Sequence, residues 1–505
     1  MVLMAKTMFR GEYTSFLSGF YFKPLRQIVL NYRSKSVSFT MIGYNAKNLG
    51  ILANRDGFSW ALNCDHSLWG RVMAGDIHKI VIVGGGAAGL ELATHLGQKL
   101  GKQNLAEVTL LDATSTHIWK PLLHEVASGT LAEAEEIEYL SQAHRNHFRF
   151  RLGRMEGLNR AEKEIYISPT LNDEGVELIP RRTFKYDTLV LAVGSVSNTF
   201  GIKGVDQHCM FIDTTTQAYR FQKQLVETYY VKSYAGQNSL KDKPLSIVIV
   251  GAGATGVELS AELHQVTRLL ATYGLEDSDR VNITIIEAAT QLLPALPPRL
   301  SAATQQQLVK LGISLKLGRR VTEVTETQVF THDGEVFDAD LKVWAAGIKA
   351  PDWMKNLDGL ETNHINQLVV DSTLKTADDN IYAIGDCAAC AWAGHKGNVP
   401  PRAQAAHQQA TAVAKTIING MYGKPPVTFV YQDYGSLVSL GQYSTVGSLM
   451  GSLMGTVSVG GFIAYMVYLS LYKMHQVAIH GYFRTAMLSL SNLFRRSTHA
   501  KIKMH

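Results

Sequence analysis

Four cysteines in the whole chain leave no basis for a disulfide framework, so the fold must rest on packing, and a reducing compartment is the expectation. Acid is missing from the C-terminal end: residues 434–505 carry six Lys/Arg and no Asp or Glu. Charge of either sign is missing from 434–472, yet GSLMGSLMGTVSVGG is broken by Gly and Ser, and the apolar run FIAYMVYLSLY that follows is short. A membrane-spanning helix needs about 20 apolar residues, well beyond the length of that run, and the first part, GSLMGSLMGTVSVGG, reads as strands and turns. Also absent is a basic working face. The net charge of +6 sits at the two ends, residues 1–72 holding nine Lys/Arg against three Asp/Glu, and the body between 73 and 433 is acidic at about −6. That excludes a nucleic-acid binder, whereas a basic, acid-free tail suits an anionic membrane surface.

The stretch 1–72 lacks a clear assignment. Its first part, 1–40, shows no sustained helical or strand period, and no apolar core of roughly 7–15 residues with a small-residue cleavage site follows. The composition is compatible with a mitochondrial-type transit segment, but the expectation is that folding starts near Met73, where MAGDIHKIVIVGG enters a first strand.

What the chain has in abundance is one phrase written twice. IVIVGGGAAG occupies 80–89 and IVIVGAGATG 247–256, and 12 positions are identical between 79–98 and 246–265. Ile80–Val83 and Ile247–Val250 are the continuous β-branched runs of strands buried on both faces of a parallel sheet. Each runs into G-x-G-x-x-G, with Gly84, Gly86 and Gly89 in one and Gly251, Gly253 and Gly256 in the other, and each then opens a helical pattern. Such a turn brings a pyrophosphate against backbone N–H groups at a helix N-terminus. Acids follow where a ribose hydroxyl needs an acceptor: Asp112 ends the strand VTLLDA after the first helix, and Glu287 ends NITIIEA after the second. Glu287 is followed by Ala288 and Ala289 rather than an Arg, which favours NADH over NADPH. Two dinucleotide-binding domains imply two dinucleotides, and a flavin with a nicotinamide makes chemical sense because hydride passes from one to the other.

From about Lys79 onward the chain closely resembles the type II, non-proton-pumping respiratory NADH dehydrogenases of bacteria. The resemblance is carried by IVIVGGGAAGLELATHLG, HIWKPLLHEVASG, YDTLVLAVGS, IVIVGAGATGVELSAEL, LPALPPR, VWAAGIKAP, YAIGDCA, VPPRAQAAHQ and LYKMHQVAIHGYF. It implies non-covalent FAD, NADH as donor, a membrane ubiquinone or menaquinone as acceptor, and monotopic attachment. IYAIGDCA resembles the strand that in two-domain flavoprotein reductases sets an Asp on the flavin's ribityl–phosphate arm, and this assigns FAD to the first turn and NADH to the second. On matching positions the resemblance puts FAD against Gly84, Gly85, Gly86, Ala87, Ala88, Gly89, Asp112, Lys120, Gly385, Asp386, Ala403 and Gln404. It puts NADH against Gly251, Gly253, Thr255, Gly256, Glu258, Glu287, Ala346 and Gly347. The helix after Pro400-Pro401 shares one face between Gln404 and Gln408, one helical turn apart. In the family this helix points at the pyrimidine end of the flavin, and the A-Q-x-A-x-Q pattern marks the quinone site. Gln404 and Gln408 are therefore the expected headgroup contacts. Glu258 matches the glutamate proposed there to deliver protons, and Glu91 holds the equivalent place in the first repeat.

The expected architecture is α/β, with two Rossmann-like dinucleotide domains of the two-domain flavoprotein reductase type. A first FAD part runs over 73–200, the NADH domain over 201–350, a second FAD part with the quinone helix over 351–433, and a membrane-anchoring strand and amphipathic-helix region over 434–505. From Met474 the apolar residues Ile479, Tyr482, Phe483, Ala486, Met487, Leu490, Leu493 and Phe494 follow 3–4 spacing, with Arg484, Arg495 and Arg496 beside the polar side. This reads as one helix lying in an anionic bilayer interface, with the protein peripheral on the cytoplasmic face of a bacterial inner membrane, or on the mitochondrial inner membrane if 1–72 is a transit segment. A homodimer is possible. Cys387 and Cys390 form C-x-x-C but lack the position of a flavoprotein redox pair and the further ligands of a metal site, so they read as buried thiols. His124, His407, His475 and His480 read as packing or surface histidines. The rivals are a flavoprotein reductase with a protein acceptor such as ferredoxin or rubredoxin, which leaves the basic amphipathic tail unexplained, and an NADH-binding flavoprotein sensor with negligible turnover.

Overall fold

The computed structural model describes residues 77–505 apart from 132–135, 173, 235–243, 273–280, 441–444, 452–454 and 496–505. It also describes the backbone of an antiparallel hairpin, β1 (Gln27–Arg33) paired with β2 (Ser36–Ile42). The reading of 1–40 as without a sustained period is corrected there: SVSFTMI, the sequence of β2, alternates polar and apolar residues, which is itself a strand signal. The rest of 1–72, and with it the transit-segment reading, lies outside the described residues.

Along the chain from Ile77 come β3 (His78–Val83), α1 (Ala87–Lys99), β4 (Ala106–Asp112), α2 (Leu123–Ser128), β5 (Arg149–Leu152) and β6 (Thr188–Leu191). The second repeat supplies β7 (Leu245–Val250), α3 (Ala254–Thr272), β8 (Val281–Glu287), β9 (Ser314–Leu317) and β10 (Leu341–Trp344). The chain then returns through β11 (Ile381–Ala383) to α4 (Ala403–Met421). It ends in β12 (Gly435–Ser439), β13 (Thr445–Gly451), β14 (Gly455–Gly460), α5 (Gly461–His480) and α6 (Tyr482–Arg495).

Two parallel sheets follow. The first has the order β11-β6-β3-β4-β5, the second β9-β8-β7-β10, and every pairing in both is parallel. In each, the strand that opens the repeated phrase is central, and Ile80, Ile82, Ile247 and Ile249 are all 0% exposed. Helices on both faces leave such strands no polar side, which is why they are written as unbroken apolar runs. The fold is thus the α/β double-Rossmann architecture expected. Because β11 pairs with β6, a segment from beyond the whole second repeat rejoins the first sheet.

α1 packs on α4, α2 on α3, and α5 on α1 and on the antiparallel meander β12-β13-β14. The tail corrects the expectation of one helix starting at Met474. α5 runs on to His480, Gly481 adopts φ +77°, and a separate α6 starts at Tyr482. A glycine in the left-handed region is a common helix stop, and it reassigns Ile479, 2% exposed, to the core-facing side of α5. Among the described residues, no helix is long and apolar enough to cross a membrane.

Candidate functional site

The two turns share one construction. Gly84 and Gly251 have φ +100° and +108°, and a Cβ on either would run into the carbonyl of Ala192 or Ala345. Gly89 and Gly256 bring the helix onto the strand: a Cβ there would overlap the Gly84 carbonyl or the Gly251 carbonyl. The middle glycines differ in kind. A Cβ on Gly86 or Gly253 would meet nothing within 4 Å. The protein's own packing does not require them, while a ligand approaching the helix N-terminus would.

Each turn is braced by the acid that ends the next strand. The Gly85 N–H donates to Asp112 Oδ2 at 2.6 Å, and the Thr114 N–H to Oδ1 at 2.8 Å. The Ala252 N–H donates to Glu287 Oε2 at 2.7 Å, and the Ala289 N–H to Oε1 at 2.8 Å. The same two bonds recur in both repeats, so each carboxylate is locked at the mouth of its turn. Thr255 is exposed at the start of α3. The Ala346 carbonyl accepts from the Trp344 indole N–H at 3.1 Å, and Gly347, with φ +65°, lies against the Phe200 ring.

Around the first turn three segments converge. A Cβ on Gly385 would sit 3.8 Å from Ala406 and 3.9 Å from Ala88, so α1, the Gly385-Asp386 turn and the start of α4 meet there. The Gly385 N–H donates to the buried Gln409 side chain at 2.6 Å. Lys120 Nζ donates to Ser195 Oγ at 3.1 Å and to its carbonyl at 2.7 Å, and Ser195 Oγ donates to Asp386 Oδ2 at 2.8 Å. Lys120 and Asp386, expected on the same cofactor, are thereby joined through Ser195. Ser195 and Gln409 escaped the sequence reading because a lone Ser or Gln carries no pattern. Ala87 and Ala403 flank this junction as the first residues of α1 and α4.

Gln404 and Gln408 share their face as expected but have partners of their own. Gln404 donates to the Gly435 carbonyl at 2.8 Å and accepts from the Tyr434 N–H at 3.1 Å. Gln408 donates to the Gln432 carbonyl at 2.9 Å and accepts from its N–H at 3.0 Å. Both side chains thus hold the segment that leads into β12, and a headgroup would have to share or displace those bonds.

Glu258 is 6% exposed on α3, with His124 (3% exposed) of α2 at 3.6 Å and the Ser439 N–H donating to it at 3.0 Å. Burial pushes its carboxyl up to about 8, opposed by the Ser439 bond and aided by the charges of Glu125 and Glu262. Burial also takes His124 down to about 4, opposed by a bond to the Pro121 backbone. At neutral pH the pair is therefore two neutral groups rather than an ion pair, with a proton resident on Glu258. Glu262, next on the same helix face, is likewise raised by burial and accepts from Thr130 at 3.4 Å.

Cys387 and Cys390 are 0% and 3% exposed, and burial pushes both thiols up to about 11. A thiol at that value is not a nucleophile near neutrality. His407 and His475 both bond the buried Glu91, a cluster the sequence hid because its members come from opposite ends of the catalytic chain.

Comparison with known proteins agrees with this geometry. The family model for pyridine nucleotide-disulphide oxidoreductases matches residues 78–410. The type II NADH:quinone oxidoreductase of Haemophilus influenzae is 44% identical over 442 residues, covering 84% of this chain and 99% of that one. The protein of the same name from Staphylococcus saprophyticus is 32% identical over 386 residues, covering 75% and 91%. In fold, the chain is similar to NDH2 from Plasmodium falciparum solved in complex with NADH, with a TM-score of 0.73, 20% identity, and coverage of 85% of this chain and 100% of that one. The twin turns, their matched acids and these relatives together place the chain in the type II NADH:quinone oxidoreductase family.

Proposed function

We infer that this protein oxidises NADH and reduces a membrane quinone through non-covalently bound FAD. The observation that carries it is the pair of middle glycines, Gly86 and Gly253, each open to a ligand at a helix N-terminus, in two sheets of one chain. FAD is assigned to the first turn because Gly385-Asp386 returns to that turn and not to the second. Lys120 and Asp386, joined through Ser195, would hold its ribityl–phosphate arm. NADH is assigned to Gly251–Gly256 with Glu287 on its ribose, and the carboxylate disfavours a 2′-phosphate. Bound FAD supplies the two-electron carrier between donor and acceptor. The protein's own part is to orient both, exclude water, and keep a proton on Glu258, which would donate it on the acceptor side.

The acceptor is assigned to the face of α4 bearing Gln404 and Gln408, supported by the match to the family's quinone pattern. Replacing either by Ala, measured with a soluble ubiquinone analogue, is expected to raise KM about tenfold, the cost of one lost hydrogen bond to a bound group. NADH should still bleach the flavin. An unchanged KM in both variants would move the acceptor elsewhere.

Attachment to an anionic bilayer, on the cytoplasmic face of a bacterial inner membrane, is assigned to α6. Its apolar residues Tyr482, Phe483, Met487 and Leu490 are 85%, 80%, 54% and 50% exposed, with Arg484 among them. Phe483→Glu with Met487→Glu should weaken sedimentation with anionic vesicles about 10²-fold, because two apolar side chains contribute roughly 3 kcal/mol on burial. Equal sedimentation would contradict this placement of α6.

A further inference from the structure

Glu91 occupies in α1 the place that Glu258 occupies in α3, but its surroundings reverse its chemistry. It is 7% exposed, and its two oxygens are taken by two imidazoles, His407 Nδ1 of α4 at 2.5 Å and His475 Nδ1 of α5 at 2.8 Å. Burial would raise its carboxyl, but the bonds and charges of the two histidines take it below the ordinary value. His475 Nε2 in turn meets His117 Nε2 at 3.0 Å.

The proton positions follow from what each partner can do. His117 is buried and taken down to about 3, by burial first and then by the charge of His475, and it donates to the Gly85 backbone. His475 Nδ1 lies 2.8 Å from one Glu91 oxygen and its Nε2 3.0 Å from His117, so the ring holds that carboxylate oxygen in place. His407 Nδ1 donates to the other oxygen. That leaves His407 Nε2 as the outward atom of a side chain 41% exposed. The bond to Glu91 raises His407, against the effect of burial. The other charged or imidazole groups on these three helices are His95 and Lys99 on α1, Lys415 on α4, and Lys473 and His480 on α5.

His407 lies three residues after Gln404, a surface neighbour of it on α4, so its ring lies at the edge of the face that bears both glutamines. We propose that His407, oriented by Glu91 and braced by His475, is a second proton donor to the quinone, a reading that rests on Gln404 and Gln408 marking the acceptor face. The balance of the reaction leaves room for it: NADH, one proton and a quinone give NAD⁺ and a quinol. Two electrons and one proton come with the hydride, that proton replacing the one Glu258 gives to the quinone, and one further proton must come from water. In the proposed step the His407 Nε2–H bond breaks, an O–H bond forms on a quinone oxygen, and the half-exposed ring takes its next proton from solvent. Glu91 is a positioning residue, fixing the tautomer as the carboxylate of a carboxylate–histidine pair does. A purely structural tie explains less, because a buried ion pair adds little net stability.

The test is steady-state quinone reduction by the FAD-loaded protein in lipid between pH 6 and 9, beside anaerobic flavin bleaching by NADH. His407→Ala should lose turnover about 10²-fold with bleaching unchanged, and imidazole added to the buffer should restore part of it. Glu91→Gln should shift the alkaline decline of turnover to lower pH, since His407 loses the partner that keeps it protonated. His407→Ala turning over at the parent rate at every pH, or losing turnover with neither rescue nor a pH shift in Glu91→Gln, would overturn the proposal. A parent protein that bleaches but never turns over quinone would instead refute the functional assignment itself.

Discussion

Glu258→Gln is expected to lower quinone turnover about 10²-fold near pH 7 while making the protein more stable at pH 8–9. Both effects follow from one carboxyl. In the folded protein burial holds it at about 8 against an ordinary 4.5, so between those values the folded state binds a proton that the unfolded chain has released. Stability is therefore fully present below about pH 4.5 and falls as pH rises through 8. The loss is on the order of 1.4 kcal/mol per pH unit in that window, and a few kcal/mol in all. Gln is neutral throughout and keeps an acceptor for the Ser439 N–H, so its thermal midpoint should decline less from pH 6 to 9 than the parent's, Glu262, also raised by burial, keeping its own slope. His124 acts oppositely: taken down to about 4 from 6.5, it costs stability as pH falls through that range, and Glu258→Gln leaves that slope in place. Parallel pH–stability curves for parent and variant would contradict the proton assigned to Glu258.

Gly86→Val and Gly253→Val should separate the two nucleotides. Neither side chain meets protein atoms at its Cβ, so both variants should fold, but a branched group at the helix N-terminus blocks a pyrophosphate. Gly86→Val should purify without flavin absorbance. Gly253→Val should stay yellow but lose NADH-driven bleaching about 10²-fold, a displacement of about 1 Å being enough for that. The reverse pattern would exchange the two domain assignments. By contrast, Val at Gly89 or Gly256 would drive a Cβ into a backbone carbonyl, and loss of flavin there would report only misfolding.

The twin turns, their strands and the acids Asp112 and Glu287 were legible because each depends on short-range pattern: a buried apolar run, glycines at fixed offsets, and an acid one strand later. The parallel order of both sheets follows from the same units. Less was legible wherever a contact joins distant segments. Glu91 and His475 are far apart in the chain, and only the packing of α5 on α1 brings them together. The glutamines of α4 looked like free ligand contacts because nothing in the spacing shows that 432–435 folds across them. The break at Gly481 was hidden by apolar spacing that runs on either side of it, although a glycine after a helical run is itself a stop signal.

The most direct test is NADH oxidation by the purified, FAD-loaded protein in lipid with a soluble ubiquinone analogue. Rapid turnover that requires both NADH and quinone, with the flavin bleached by NADH when quinone is withheld, is the predicted result. Bleaching without turnover when quinone is supplied would contradict the account and point to a protein acceptor or a sensing role.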